Sequence, residues 1–239
     1  MSALMTSNRF TTAAELLEQL GGIAPERVLL KPLPGTATES DLIRLNIHSN
    51  RLYELVQGTL VEKVMSFPES ALGVSLILRL GVFLDRNDLG LLAGADGEIR
   101  LMRGLVRIPD ISFIRWERLP RREIPMEPIA GVAPNLAVEV LSKGNTLKEM
   151  ARKLREYLQY GVELVWFIDP KQRTVEVFTG PEQSIVLTEA DTLDGGDVLP
   201  GFSIPVRKIF AKVPRQTKAP AKSKPNHAKS NSRKRPSRS

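Results

Sequence analysis

The chain has 239 residues, 42% of them hydrophobic and 26% charged, which suits a globular protein of one large or two small domains that needs no staples. It contains no cysteine, which excludes disulfides and thiolate metal sites and fits a reducing, cytoplasmic setting. The two histidines, His48 and His227, exclude a histidine-rich metal centre and a convincing Ser-His-Asp triad, so catalysis would rest on carboxylates, lysines or hydroxyls. The formal charge of +7 is unevenly spread: residues 214–239 carry nine Lys or Arg and no acid, which leaves 25 bases against 27 acids elsewhere. The basicity therefore belongs to a tail with too few apolar residues to fold, expected to be disordered, and able to attract phosphates non-specifically or simply to solubilise the chain. The start, "MSALMTSNRF", lacks an apolar leader, and no stretch approaches the roughly 20 apolar residues of a membrane span; a soluble protein without a membrane partner is expected.

In chain order, "TTAAELLEQL" reads as a short amphipathic helix ended by Gly21-Gly22, and a Pro-rich connection leads to a helix over "TESDLIRL" capped by Thr38 or Ser40. "RLYELVQGTLVEKVM" reads as two strands joined at Gln57-Gly58. The first long helix is "PESALGVSLILRLGVFLDRN", with Leu72, Leu76, Leu80, Val82 and Phe83 mostly at helical spacing. Short strands follow in "GLLAGAD" and "EIRLM" around a turn at Asp96-Gly97, and again in "LVRIPDISFIRW"; a loop spans 117–134. "NLAVEVL" is an apolar strand. The helix "LKEMARKLREYLQYG" opens on a capping box of Thr146 and Glu149 and ends at Gly161. "ELVWFID" and "TVEVFTG" are strands about a turn at 171–173, and the remainder adds one or two more. This order predicts an α/β fold with a central mixed sheet, in which 135–168 forms a strand–helix–strand crossover with parallel strands.

The chemistry concentrates on two strand acids, Asp110 in "RIPDISFI" and Glu139 in "LAVEVLS". Glu139 sits in a strand apolar on both sides, where a carboxylate costs several kcal/mol unless compensated. If the two strands pair, the carboxylates lie side by side and repel, so that one takes a proton or a divalent cation sits between them. Magnesium suits one or two carboxylates plus waters and phosphate oxygens. Equally, Asp110 is placed to cap a turn after Pro109, and Glu139 to pair with a neighbouring Arg or Lys. Two lysines are near in sequence: Lys143, in the loop after the strand, and Lys153, near the apolar face formed by Leu147, Met150, Leu154 and Leu158, with Tyr157 on the same flank. An exposed pair of Lys153 with Glu149 at the i, i+4 spacing is the plain alternative. Spacing alone assigns neither lysine.

"YELVQGTLVEKVMS", "VRIPDISFIR", "PNLAVEVLSKGNTLKEMARKLREYLQYGVELVWFIDPKQRTVEVF" and "LDGGDVLPGFSIPV" together resemble the Uma-type putative restriction endonuclease family of the PD-(D/E)XK nuclease superfamily, over roughly residues 40–210. The resemblance implies a restriction-endonuclease-like domain over 40–213, preceded by an N-terminal helix and linker over 1–39. It also implies that Asp110 and Glu139 are metal ligands, that Glu54 in "YELVQG" is the upstream glutamate completing the acidic site, and that the lysine comes from the following helix as Lys153, with Tyr157 and Ser142 in support. Leu141 stands where the usual Glu-x-Lys has its lysine, Ser142-Lys143 replaces Ser-Pro, and "FPESALG" lacks the histidine that often opens the long helix. The expected activity is Mg²⁺-dependent hydrolysis of DNA phosphodiester bonds, with Mn²⁺ a possible substitute. RNA and a homodimer are left open. The alternative is a non-enzymatic nucleic-acid-binding protein that keeps the fold.

Overall fold

The protein is described by a computed structural model over residues 10–213. The expected disordered tail, 214–239, lies outside the described residues.

Helix α1 (Ala13–Gln19) starts at Thr12, whose side chain accepts from the Glu15 amide. Helix α2 (Glu39–His48) starts at Thr38 with a reciprocal capping box to Asp41, so Thr38 rather than Ser40 is the cap. The hairpin of β1 (Leu52–Val56) and β2 (Thr59–Lys63) turns through Gln57 and Gly58, both at positive φ. A two-residue turn of that hand matches the strand twist. At Gly58 any side chain would also meet the Gly35 backbone at 2.6 Å.

Helix α3 (Phe67–Leu84) follows, then β3 (Gly90–Ala93), β4 (Ile99–Met102), β5 (Leu105–Arg107), β6 (Ile111–Arg115), β7 (Leu136–Val140), α4 (Leu147–Gln159), β8 (Leu164–Asp169) and β9 (Thr174–Gly180). The chain continues through β10 (Gln183–Leu187), β11 (Thr192–Asp194), β12 (Ser203–Pro205) and α5 (Val206–Ile209). The region after β9 thus holds three strands, more than the one or two expected.

The strands form a six-stranded sheet in the order β10-β9-β8-β7-β6-β3, a four-stranded sheet in the order β2-β1-β5-β4, and the ribbon β11-β12. Only β7 and β8, joined through α4, pair in parallel within the six-stranded sheet, so the sheet is mixed, as expected. The turn at Asp96-Gly97 joins strands of different sheets, β3 in the larger and β4 in the smaller. The run "LVRIPDISFIRW" is likewise split, with β5 in one sheet and β6 in the other. Pro109, without an N–H to donate, marks the crossing.

Successive side chains of β7 alternate between two cores. Leu136, Val138 and Val140 join Leu72, Leu76 and Leu80 of α3 and the aromatic residues Trp166, Phe202 and Phe210. Ala137 faces the other way, with Met150, Leu154 and Tyr157 of α4; Leu147, expected on that face, is instead 91% exposed. Glu139, two residues on from Ala137, projects toward α4. The segment before residue 40 packs on the four-stranded sheet, through Leu16, Leu20 and Ile23 against Val56, Val61 and Leu105.

By length and composition α3 is long and apolar enough to cross a membrane, contrary to the sequence-based expectation for the chain. Leu72, Leu76 and Leu80 line the core, while Val74, Leu78 and Val82 remain exposed, so Val82 is not the core residue its spacing suggested.

Candidate active site

The β6–β7 register places Ile111 opposite Val138, so Asp110 stands opposite Glu139 on the α4 face. Residues opposite each other in such a pair have Cβ atoms about 5 Å apart, and like charges there are destabilising unless offset. The β1–β5 register does the same for the smaller sheet: Leu55 faces Val106, which puts Glu54 opposite Arg107. The two cross-strand pairs meet beneath α4.

Helix α4 is set by Thr146, whose hydroxyl accepts from the Glu149 amide at 3.0 Å. The reciprocal half of the expected capping box is not made, because the Glu149 carboxylate pairs with Arg27 at 2.7 Å and accepts from Asn145. Met150, Lys153, Leu154 and Tyr157 form the buried stripe at i, i+3, i+4 and i+7. The alternative of Lys153 as an exposed partner of Glu149 therefore fails, since Lys153 is 3% exposed. Its Nζ lies 3.0 Å from Glu139 Oε1 and 3.1 Å from Glu54 Oε1, linking the two sheets. One turn on, the Tyr157 hydroxyl donates to the same Glu139 oxygen at 2.5 Å.

Each carboxylate is held by named partners. Glu54 accepts from the Ile108 amide at 3.1 Å and from Arg107 at 2.6 Å. Asp110 accepts from the Val140 amide at 2.6 Å through Oδ2 and pairs through Oδ1 with Lys63 at 2.9 Å. Arg107 also reaches Glu156, which pairs with Arg152 one turn earlier in α4. Glu54, Asp110, Glu139, Lys153 and Tyr157, all singled out from the sequence, thus come together. Ser142 does not: its hydroxyl donates to Asn145 at 3.0 Å in the β7–α4 loop, and Lys143 is exposed beside it.

Lys63, Arg107 and Glu156 escaped sequence reading. The available signal was the two-residue period. Lys63 shares the inward face of β2 with Val61, and Arg107 that of β5 with Leu105.

Burial and charge set the protonation pattern. Burial raises the Glu139 carboxyl; Lys153 opposes and neighbouring Asp110 adds to the rise. Burial acts the same way on Glu54, but Lys153, Arg107 and Lys63 outweigh it and hold that carboxyl well below the usual range. For Lys153 burial disfavours the charge, yet Glu139 and Glu54 hold its pKa above the ordinary lysine value. Burial and the same two acids keep the Tyr157 phenol neutral. Lys153 is consequently a charged donor, and Glu139 takes a proton more readily than Glu54.

Among the described residues no group of three or more His, Cys, Asp or Glu side chains forms a ready metal cluster. Two opposed carboxylates are nevertheless a hard-oxygen donor set that fits magnesium, which retains several waters and takes only one or two protein carboxylates. Glu54 faces two cations, Lys153 and Arg107, besides the Ile108 amide, whereas Asp110 faces one, Lys63, so the place of Glu54 is beside the lysine.

Among curated proteins none matches the chain. A crystal structure described as that of a putative nuclease belonging to DUF820, from Anabaena variabilis ATCC 29413, is similar with a TM-score of 0.64 and 19% identity, over 73% of this chain and 97% of that one. That likeness shows the fold. The family model Uma2, described as putative restriction endonuclease, matches residues 40–207, a span that carries Glu54, Asp110, Glu139 and Lys153. The chain belongs to the Uma2 putative restriction endonuclease family.

Proposed function

We propose that this protein is a divalent-metal-dependent endonuclease that hydrolyses DNA phosphodiester bonds. The observation that carries the reading is the Asp110–Glu139 pair with the Lys153 ammonium 3.0 Å from Glu139. Asp110 and Glu139 would hold the ion, which when bound supplies charge neutralisation at a phosphate and a lowered pKa for water. Lys153 acts as hydrogen-bond donor to the attacking water and to the charge developing on the phosphate, because neighbouring carboxylates keep it protonated. Glu54 fixes Lys153, and Arg107 fixes Glu54. Tyr157 orients Glu139 through its hydroxyl. The basic segment 214–239 adds salt-sensitive phosphate attraction.

Calorimetry of Mg²⁺ or Mn²⁺ tests this reading. Wild type should bind and Asp110→Asn should not; equal binding by both removes the site. A second reading, nucleic-acid binding without chemistry, is favoured by the depth of the acids, 4% exposed at Glu139 and 5% at Asp110. It predicts DNA binding that persists in a chelator, weakens steeply with salt and disappears on deletion of residues 214–239.

A further inference from the structure

Lys63 has no part in the chemistry above, yet its buried ammonium is surrounded by oxygens. Its Nζ donates to the Ile108 carbonyl at 2.6 Å and the Ala95 carbonyl at 3.2 Å, and pairs with Asp110 Oδ1 at 2.9 Å. Its side chain is 6% exposed. One carboxylate and two carbonyl oxygens are the hard donors that a divalent cation also selects. The other Asp110 oxygen is held by the Val140 amide, so Oδ1 is the one Asp110 has to give. Lys63 occupies it.

We propose that Lys63 is a built-in counter-cation: a positioning residue that holds Asp110 in the metal-free protein and competes with the divalent ion for it. This rests on the metal-dependent reading of the site. The position suits displacement. Lys63 is the last residue of β2, beyond the Val28–Val61 bridge that flanks this outermost strand, and the following residue, Val64, is 39% exposed. The ammonium can therefore leave without opening the sheet. Its bond also joins the four-stranded sheet to the acid that opens β6, so occupancy of Asp110 by lysine or by metal is reported at the junction of the two sheets. An ion that must first displace Lys63 binds with an affinity reduced by the small fraction of molecules in which Asp110 is free. Removing the competitor restores the intrinsic affinity, about tenfold or more if that fraction is about 10% or less.

The experiment is calorimetry with Mn²⁺ on wild type and Lys63→Met. Binding at least about tenfold tighter in Lys63→Met is expected. Wild-type binding with equal or weaker binding by the variant overturns the proposal and leaves the metal site standing; binding by neither sinks both. If Lys63→Met does not fold, wild type labelled with ¹⁵N-lysine is titrated with Mg²⁺ and followed by NMR. The slowly exchanging Lys63 ammonium signal should shift or vanish as metal saturates. A signal unchanged at saturation overturns the proposal.

Discussion

Replacing Arg107 by methionine should destabilise the protein more than any change on its surface. The side chains of Arg107 and Glu54 are 4% and 1% exposed, and they approach to 2.6 Å. Methionine keeps much of the volume but leaves the Glu54 carboxylate with only the Ile108 amide and Lys153. Glu156 retains Arg152, so the carboxylate left short of a cation is that of Glu54. Breaking a buried pair on one side costs about 3–5 kcal/mol, and a chain of this size loses roughly 2–4 °C of Tm per kcal/mol. A fall of about 10 °C is expected in thermal unfolding at pH 7. The pH dependence has a definite sign. In wild type Glu54 titrates below its ordinary value of 4.5, so its contribution is present above that pH and fades as the pH falls. In the variant the carboxyl has lost a cation and takes a proton more easily, so the deficit should shrink toward pH 4.5. The double variant Arg107→Met/Glu54→Gln should recover part of the loss at pH 7, because no buried charge is left unpaired. A deficit under about 1 kcal/mol, inside the range of an exposed pair, or one that grows in acid, would mean that Glu54 does not depend on Arg107.

Glu149 is also held below 4.5, because the hydrogen bonds and charge of Arg27 outweigh its burial; Glu149→Gln should lower the urea midpoint at pH 7, and the two curves should converge below about pH 4.5, whereas a constant gap contradicts the pair. Gly21 lies at φ +88° with its ideal Cβ position 2.6 Å from the Glu149 backbone, so Gly21→Ala should cost about 1–3 kcal/mol in urea unfolding, and an unchanged midpoint would show that the α1–α4 approach is looser than described. Tyr157→Phe keeps the buried ring and removes one donor from Glu139; about 1–2 kcal/mol of stability should go, and a loss under about 0.3 kcal/mol would mean the bond carries no net stabilisation.

The central mixed sheet was legible because its strands are mostly short apolar runs with clear punctuation, and because the 135–168 unit carries both a helix cap and a terminal glycine. The assignment of strands to sheets was not. Asp96-Gly97 and Pro109 look like ordinary turns within one sheet, whereas both are crossings between two. The opposition of Asp110 and Glu139 followed from pairing two strands, a local inference. The partners of those acids come from far along the chain: Lys63 lies on β2, and Arg27, which takes Glu149 away from Lys153, precedes the matched family region. An i, i+4 spacing offers Lys153 and Glu149 to each other, but burial decides otherwise. Once Arg27 has paired Glu149, the least costly place for the Lys153 charge is between two buried carboxylates. The repulsion anticipated between Asp110 and Glu139 is answered in the structure by Lys63 and Lys153.

Whether the Asp110–Glu139 pair supports phosphodiester hydrolysis is read by incubating plasmid DNA with purified wild type and Glu139→Gln, both verified as folded, in Mg²⁺ or Mn²⁺ and again in a chelator. Wild type should nick or linearise the DNA only with metal, and Glu139→Gln should fall by about 10²-fold or more, the scale of losing one transition-state-stabilising group. Intact plasmid with wild type and metal, or equal cleavage by the variant, would mean that the pair does not carry this chemistry.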